Sequence, residues 1–118
     1  MSRSKIINFE EVMWKKFPGH EGTFSKAIVG PGGFVDNTKV DFRVTIYEPG
    51  GYVKTHSHKK ADHIYYCLDG QGIITLDRVN HIVGPGTTIY IPEGVEHSII
   101  NTGSKSFHLI VIFIPPEQ

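Results

Sequence analysis

Three histidines fall within eight residues of this 118-residue chain, in the run from Gly50 and Gly51 through His56-Ser57-His58 to Asp62-His63. A fourth, His97, follows a Pro92-Glu93-Gly94 turn. Residues i and i+2 of an extended strand point to one face, so His56 and His58 present their imidazoles side by side. Imidazole is the commonest protein metal ligand and suits zinc, copper, iron and nickel. Three or four convergent nitrogens leave an octahedral ion open positions for water or substrate, and an open position separates catalytic from structural metal sites. The spacing points to a metal site in a β-rich protein.

The elements that must position these histidines are short strands. Thirteen glycines and seven prolines are spread along the chain, as expected where tight turns join many strands. Strand signals run over 24–29, 40–47, the histidine segment after Pro49-Gly50-Gly51, 63–68, 73–77, 79–83, 87–91, 97–101 and 107–114. The segment 40–47 alternates with period 2: Val40, Phe42, Val44 and Ile46 on one face, Asp41, Arg43, Thr45 and Tyr47 on the other. That pattern is a half-buried strand whose apolar face meets the core. Asn8 with Glu11 is a capping signal for a short helical turn reaching Phe17, with Phe9, Val12, Met13 and Phe17 on one side. There is no repeat, no low-complexity segment and no domain boundary. About nine short strands argue for an antiparallel barrel or jelly roll.

The chain resembles the cupin superfamily at both of that family's motifs. Gly50, His56, His58 and Gly70 fall on the first motif, with His63 at the position where the family usually carries glutamate. Gly86, Pro92, Gly94, His97 and Asn101 satisfy the second. The resemblance implies an all-β, antiparallel double-stranded β-helix over residues 1–118, with motif 1 at 50–70 and motif 2 at 86–101. It also implies one divalent metal inside the barrel, held by His56, His58, His63 and His97. Counting six residues back from Gly70 selects His63 as the third ligand. Asp62 would take its place only if the strand slipped by one residue, which turns every side chain to the other face. An all-imidazole set disfavours magnesium and calcium and leaves iron, manganese, nickel, copper or zinc.

The remaining candidates are weaker. Tyr65 and Cys67 share the face of His63 by period 2. Tyr65 is a candidate acid or substrate contact. Cys67 reads as a small buried hydrophobe that would be a soft ligand if it faced the metal. Arg43 and Tyr47 would anchor an anionic substrate if their face lined the cavity, although solvent or a subunit contact is the expectation for a polar face. His20, His81 and His108 read as surface or hydrogen-bonded core residues, and Thr87 as a turn variant.

Twelve basic and twelve acidic residues give a formal net charge of zero with no basic patch. Nucleic acid and anionic membranes are therefore poor partners. No apolar run approaches a membrane span. The single cysteine cannot form an internal disulfide, and a cytoplasmic location is the expectation. Three functions remain. An oxygen-dependent dioxygenase is placed first, because all-histidine cupin sites resemble those of thiol and diketone dioxygenases. A non-redox isomerase or lyase and a non-catalytic small-ligand binder follow. The family also implies a homodimer, and exposed edge strands give it a physical motive.

Overall fold

The computed structural model describes residues 3–37 and 39–116. The fold is almost entirely antiparallel β: β1 His20–Gly30, β2 Val35–Asp36, β3 Asp41–His56, β4 Asp62–Asp69, β5 Gly72–Leu76, β6 Val79–Val83, β7 Thr88–Ile91, β8 His97–Ile100 and β9 Phe107–Ile114. No helix among the described residues is long and apolar enough to cross a membrane. Strands β6, β5, β8, β3, β9, β4 and β7 are hydrogen-bonded in that order, with β1 along β3 and β2 beside β1 in parallel.

The expected turn at Pro49-Gly50-Gly51 is a corner within one sixteen-residue strand. Before it, Asp41 to Tyr47 pairs with β9; after it, Tyr52 to His56 pairs with β8. Strand β1 follows β3 across the bend, with Thr23 opposite Tyr47 and Glu21 opposite Tyr52. Glycine is required there by close approach: a Cβ on Gly51 would sit inside the Gly22 carbonyl oxygen. A chain that changes partners mid-strand curls one sheet around a core.

The face assignment of β3 is the reverse of the sequence expectation. Asp41, Thr45 and Tyr47 are buried, and Phe42, Val44 and Ile46 are only partly so. Phe107, Leu109, Val111 and Phe113 of β9, His63, Tyr65 and Cys67 of β4, and Ile89 and Ile91 of β7 join them inside. Register aligns these side chains in rows: Asp41, Phe113, His63 and Ile91 form one row, and Arg43, Val111, Tyr65 and Ile89 the next. The physical reason is that the barrel interior is partly a polar cavity. The outer face of the same sheet is apolar instead.

The N-terminal helical turn is shorter than expected. Asn8 caps it through its side chain, accepting from Glu10 N at 3.0 Å, but only Phe9–Glu11 is 3₁₀-helical and Val12 is already extended. Lys15 pairs with Ser25 of β1 through two backbone hydrogen bonds, so sheet pairing ends the helix. Lys26, 5 % exposed, pins this segment. Its Nζ donates to the Phe9 carbonyl at 2.9 Å and lies 3.8 Å and 4.9 Å from the Phe9 and Trp14 ring centroids.

Asn101 closes the barrel end. It is fully buried, its Nδ2 donates to the carbonyls of Tyr47 and Lys105, and its Oδ1 accepts from Gly103 N. Asn101→Ala strands those partners. It should reduce unfolding free energy by about 3 kcal/mol, since each buried group left unsatisfied costs about 1–3 kcal/mol. Urea unfolding measures this, and a loss below about 1 kcal/mol would show the junction to be dispensable.

Candidate metal centre

Four strand and loop segments deliver the histidines to one place. Strand β3 supplies His56 through a bulge. Val53 pairs with Ile99 and His56 with His97, so β3 spends three steps where β8 spends two. The extra residue switches the alternation. Val53 faces inward at an odd position, and His56 joins it at an even one. His58 follows just beyond the strand end, with ring centroids 4.8 Å apart. His97 opens β8 directly opposite His56, at 4.3 Å between centroids.

His56, His58 and His97 each offer a ring nitrogen within 4.8 Å of the others, a group that could hold a metal ion. Hydrogen bonding sets two of the tautomers. His56 Nδ1 donates to the Lys54 carbonyl at 2.7 Å, and His97 Nδ1 to the Val95 carbonyl at 3.0 Å. In each ring the Nε2 lone pair is therefore left for a ligand. His97 Nε2 is buried with no hydrogen-bond partner among the described residues. An orphaned acceptor in a cluster of imidazoles fits a divalent transition ion well.

His63 lies beside this trio and outside its tightest grouping. It faces inward, 2 % exposed, with ring centroids 5.1 Å from His58 and 5.3 Å from His97. Phe113 stacks on it at 4.1 Å and Tyr65 packs at 4.2 Å. Neither of its nitrogens has a hydrogen-bond partner among the described residues. Asp62 points to the other face, where it accepts from the Tyr90 hydroxyl and Glu93 N. The one-residue slip is absent.

His56, His58 and His63 border a cavity of about 230 Å³, below the usual range for drug-sized ligands. Arg43, Tyr47 and Tyr65 also line it, which corrects the expectation of a solvent or subunit role for Arg43 and Tyr47. Cys67 does not line it. It is fully buried in the core, in the row of Thr45 and Leu109, and burial pushes its thiol up to about 11. The sequence expectation for His20 is a surface or hydrogen-bonded core residue, yet it stands on the cavity wall with Phe17 and Pro18. No local signal finds it. It arrives only because β1 pairs with β3, placing His20 opposite Val53. His81 is exposed, and His108 lies partly buried opposite Ile46.

Residues 43–113 match the cupin domain family, and the chain belongs to that family. It is 30% identical over 116 residues to an uncharacterised protein of Methanocaldococcus jannaschii, covering 98% of this chain and 92% of that one. It is 32% identical over 87 residues to a glucose-6-phosphate isomerase of Thermococcus gammatolerans. That match covers 63% of this chain but only 46% of the isomerase, so the chain spans about half of that relative's length. Among solved structures, a predicted oxalate decarboxylase of Thermotoga maritima superposes with a TM-score of 0.84 at 21% identity, covering 95% of this chain and 100% of that one. The likeness is one of fold.

Burial lowers the pKa values of His20, His58, His63 and His97, and neighbouring imidazoles lower them further. His20 and His58 fall to about 4, as does His97, where the Val95 carbonyl opposes the shift. His63, more deeply buried, is pushed down further. A histidine whose folded pKa lies below its unfolded value binds fewer protons folded than unfolded, so stability rises with pH. The metal-free protein should therefore hold its full stability above pH ~6.5, the unfolded histidine value. It should lose stability steadily as pH falls toward 4. Unfolding midpoints across that window measure the slope. His97→Gln should flatten it, and a level profile in the wild type would contradict neutral burial.

Proposed function

We propose that the chain is a single cupin domain holding one divalent transition metal at His56, His58 and His97, with His63 as a fourth ligand, and that it is a metal-dependent enzyme acting on a small polar organic molecule. The observation that carries this is the cluster of His56, His58 and His97, whose ring nitrogens converge within 4.8 Å beside a small cavity that His56, His58 and His63 line. Iron, manganese, nickel, copper and zinc all suit such a donor set. The bound ion supplies Lewis-acid polarisation of a substrate oxygen.

The reaction class favoured is non-redox, of the isomerase or lyase type. This is supported by a relative named as an isomerase, although the match covers only part of its length. The chain's own residues do the positioning. Lys54 and Val95 carbonyls hold the ring orientation of His56 and His97. Phe113 and Tyr65 pack against His63 and keep water from its ring. His20, neutral at pH 7, can accept a hydrogen bond from a substrate hydroxyl at the cavity wall. A dioxygenase is the second reading, supported by the absence of a carboxylate from the proposed ligand set.

Protein purified without added metal should carry close to one transition ion per chain, and a chelator should lower its melting temperature by mass action. His56→Ala and His97→Ala should melt near the chelated wild type and respond little to added metal. A chelator that strips the ion without moving the wild-type melting temperature would refute the site. Oxygen uptake during turnover would select the dioxygenase reading over the non-redox one.

The role of His63 has its own test. His63→Phe preserves an aromatic ring against Phe113 and removes both nitrogens. Metal affinity should fall at least tenfold in competition titrations if His63 is a ligand. Affinity within threefold of wild type would reduce the site to three histidines.

A further inference from the structure

The part of the cavity formed by β3, β9 and β4 is built differently from the histidine cluster, and its chemistry is that of an anion receptor. Arg43 and Tyr65 occupy the same row on either side of Val111. Adjacent strands lie about 4.8 Å apart, so both long side chains reach toward the space above the shorter valine. The guanidinium is fixed before any ligand arrives. Its Nε donates to Asp41 Oδ1 at 2.9 Å and its Nη2 to Oδ2 at 2.8 Å, while it lies 4.1 Å from the Phe17 centroid and 5.2 Å from that of Phe113. Two of its five N–H groups are used by Asp41, leaving the Nη1 edge for a partner.

Two phenols complete the set. Tyr47 and Tyr65 are buried and both line the cavity. Phenols donate at neutral pH. Among the described residues no Asp or Glu lines the cavity, and the Asp41 carboxylate beside it is engaged by Arg43. Val53, Val111, Phe17 and Phe113 supply apolar wall for a short carbon skeleton.

We propose that Arg43, Tyr47 and Tyr65 form a carboxylate subsite, and that the substrate class is a small monocarboxylate whose second oxygen function, a hydroxyl or carbonyl, reaches the histidine cluster. The second half of this statement rests on the metal-site reading above; the subsite itself does not. A carboxylate is favoured over a phosphate because one guanidinium faces the cavity and its charge is already matched by Asp41. A fixed, planar, partly neutralised fork suits a planar monoanion. Preorganisation by Asp41 and the two phenyl rings removes the ordering cost that a flexible arginine would incur on binding.

The test is calorimetric titration of lactate, pyruvate, lactamide and inorganic phosphate into zinc-loaded and chelator-treated protein. Lactate or pyruvate should bind, with lactamide and phosphate at least tenfold weaker. Arg43→Met leaves Asp41 buried without its partner and can unfold the barrel. The double variant Asp41→Asn with Arg43→Met removes both charges and is the working comparison. It should lose carboxylate affinity at least tenfold while binding zinc within threefold of wild type. Tyr65→Phe should lose threefold or more. Carboxylate binding that persists in a folded double variant, or equal binding of lactamide or phosphate, overturns the subsite. If zinc fails to bind but carboxylate binding still depends on Arg43, the metal reading falls and the subsite stands. If zinc binds the histidines and no carboxylate binds, the subsite falls alone.

Discussion

The arrangement depends on the side-chain alternation of one strand. Strand β3 carries Arg43, Thr45 and Tyr47 to the interior before its corner and His56 after it. A strand that ran straight with unbroken alternation would put His56 outside if Val53 were inside. The glycines at the corner and the bulge before His56 resolve that conflict by changing direction first and parity second. Everything that lines the cavity from other strands is placed relative to this one. Strand β9 reads its register from the first half and β8 from the second.

The second constraint is desolvation. Gathering four imidazoles in a small, partly apolar space penalises any protonated form. His58, His63 and His97 are therefore neutral, with lone pairs to offer, at ordinary pH. Backbone carbonyls of residues two positions earlier take the Nδ1 protons of His56 and His97, so the local chain chooses the tautomer. Arg43 adds a positive charge nearby, and its pairing with Asp41 softens that charge. The cavity thus keeps cationic and basic chemistry on different walls without a net excess of either.

Much of this was legible in the sequence. The strand at Phe107–Ile114, apolar except at His108, and β6 at Val79–Val83 both appear with the bounds expected from sequence. The motif histidines announce themselves by spacing because period 2 and a tight turn are local facts. What failed was what depends on tertiary context. Arg43 and Tyr47 look solvent-facing because polar residues usually are, yet here the interior is a cavity and the outer sheet face carries Phe42, Val44 and Ile46. Pro49-Gly50-Gly51 looks like a turn because nothing local distinguishes a corner from a reversal. The helix expected to reach Phe17 lost to sheet pairing at Lys15. His20 was invisible because its role comes from a partner strand 33 positions away, at Val53.

The clamp of Lys26 between Phe9 and Trp14 has a consequence for how such a barrel diversifies. It stitches the segment ahead of β1 to the scaffold, and that segment runs on to Phe17, Pro18 and His20 at the cavity. These residues lie outside the stretch 43–113 that carries the family signature. The histidines and the rim of their chamber are thus inherited from different parts of the polypeptide. Drift in the leading segment reshapes what the chamber admits while the imidazoles stay as they are. Selectivity and reactivity can evolve on separate clocks within one small barrel.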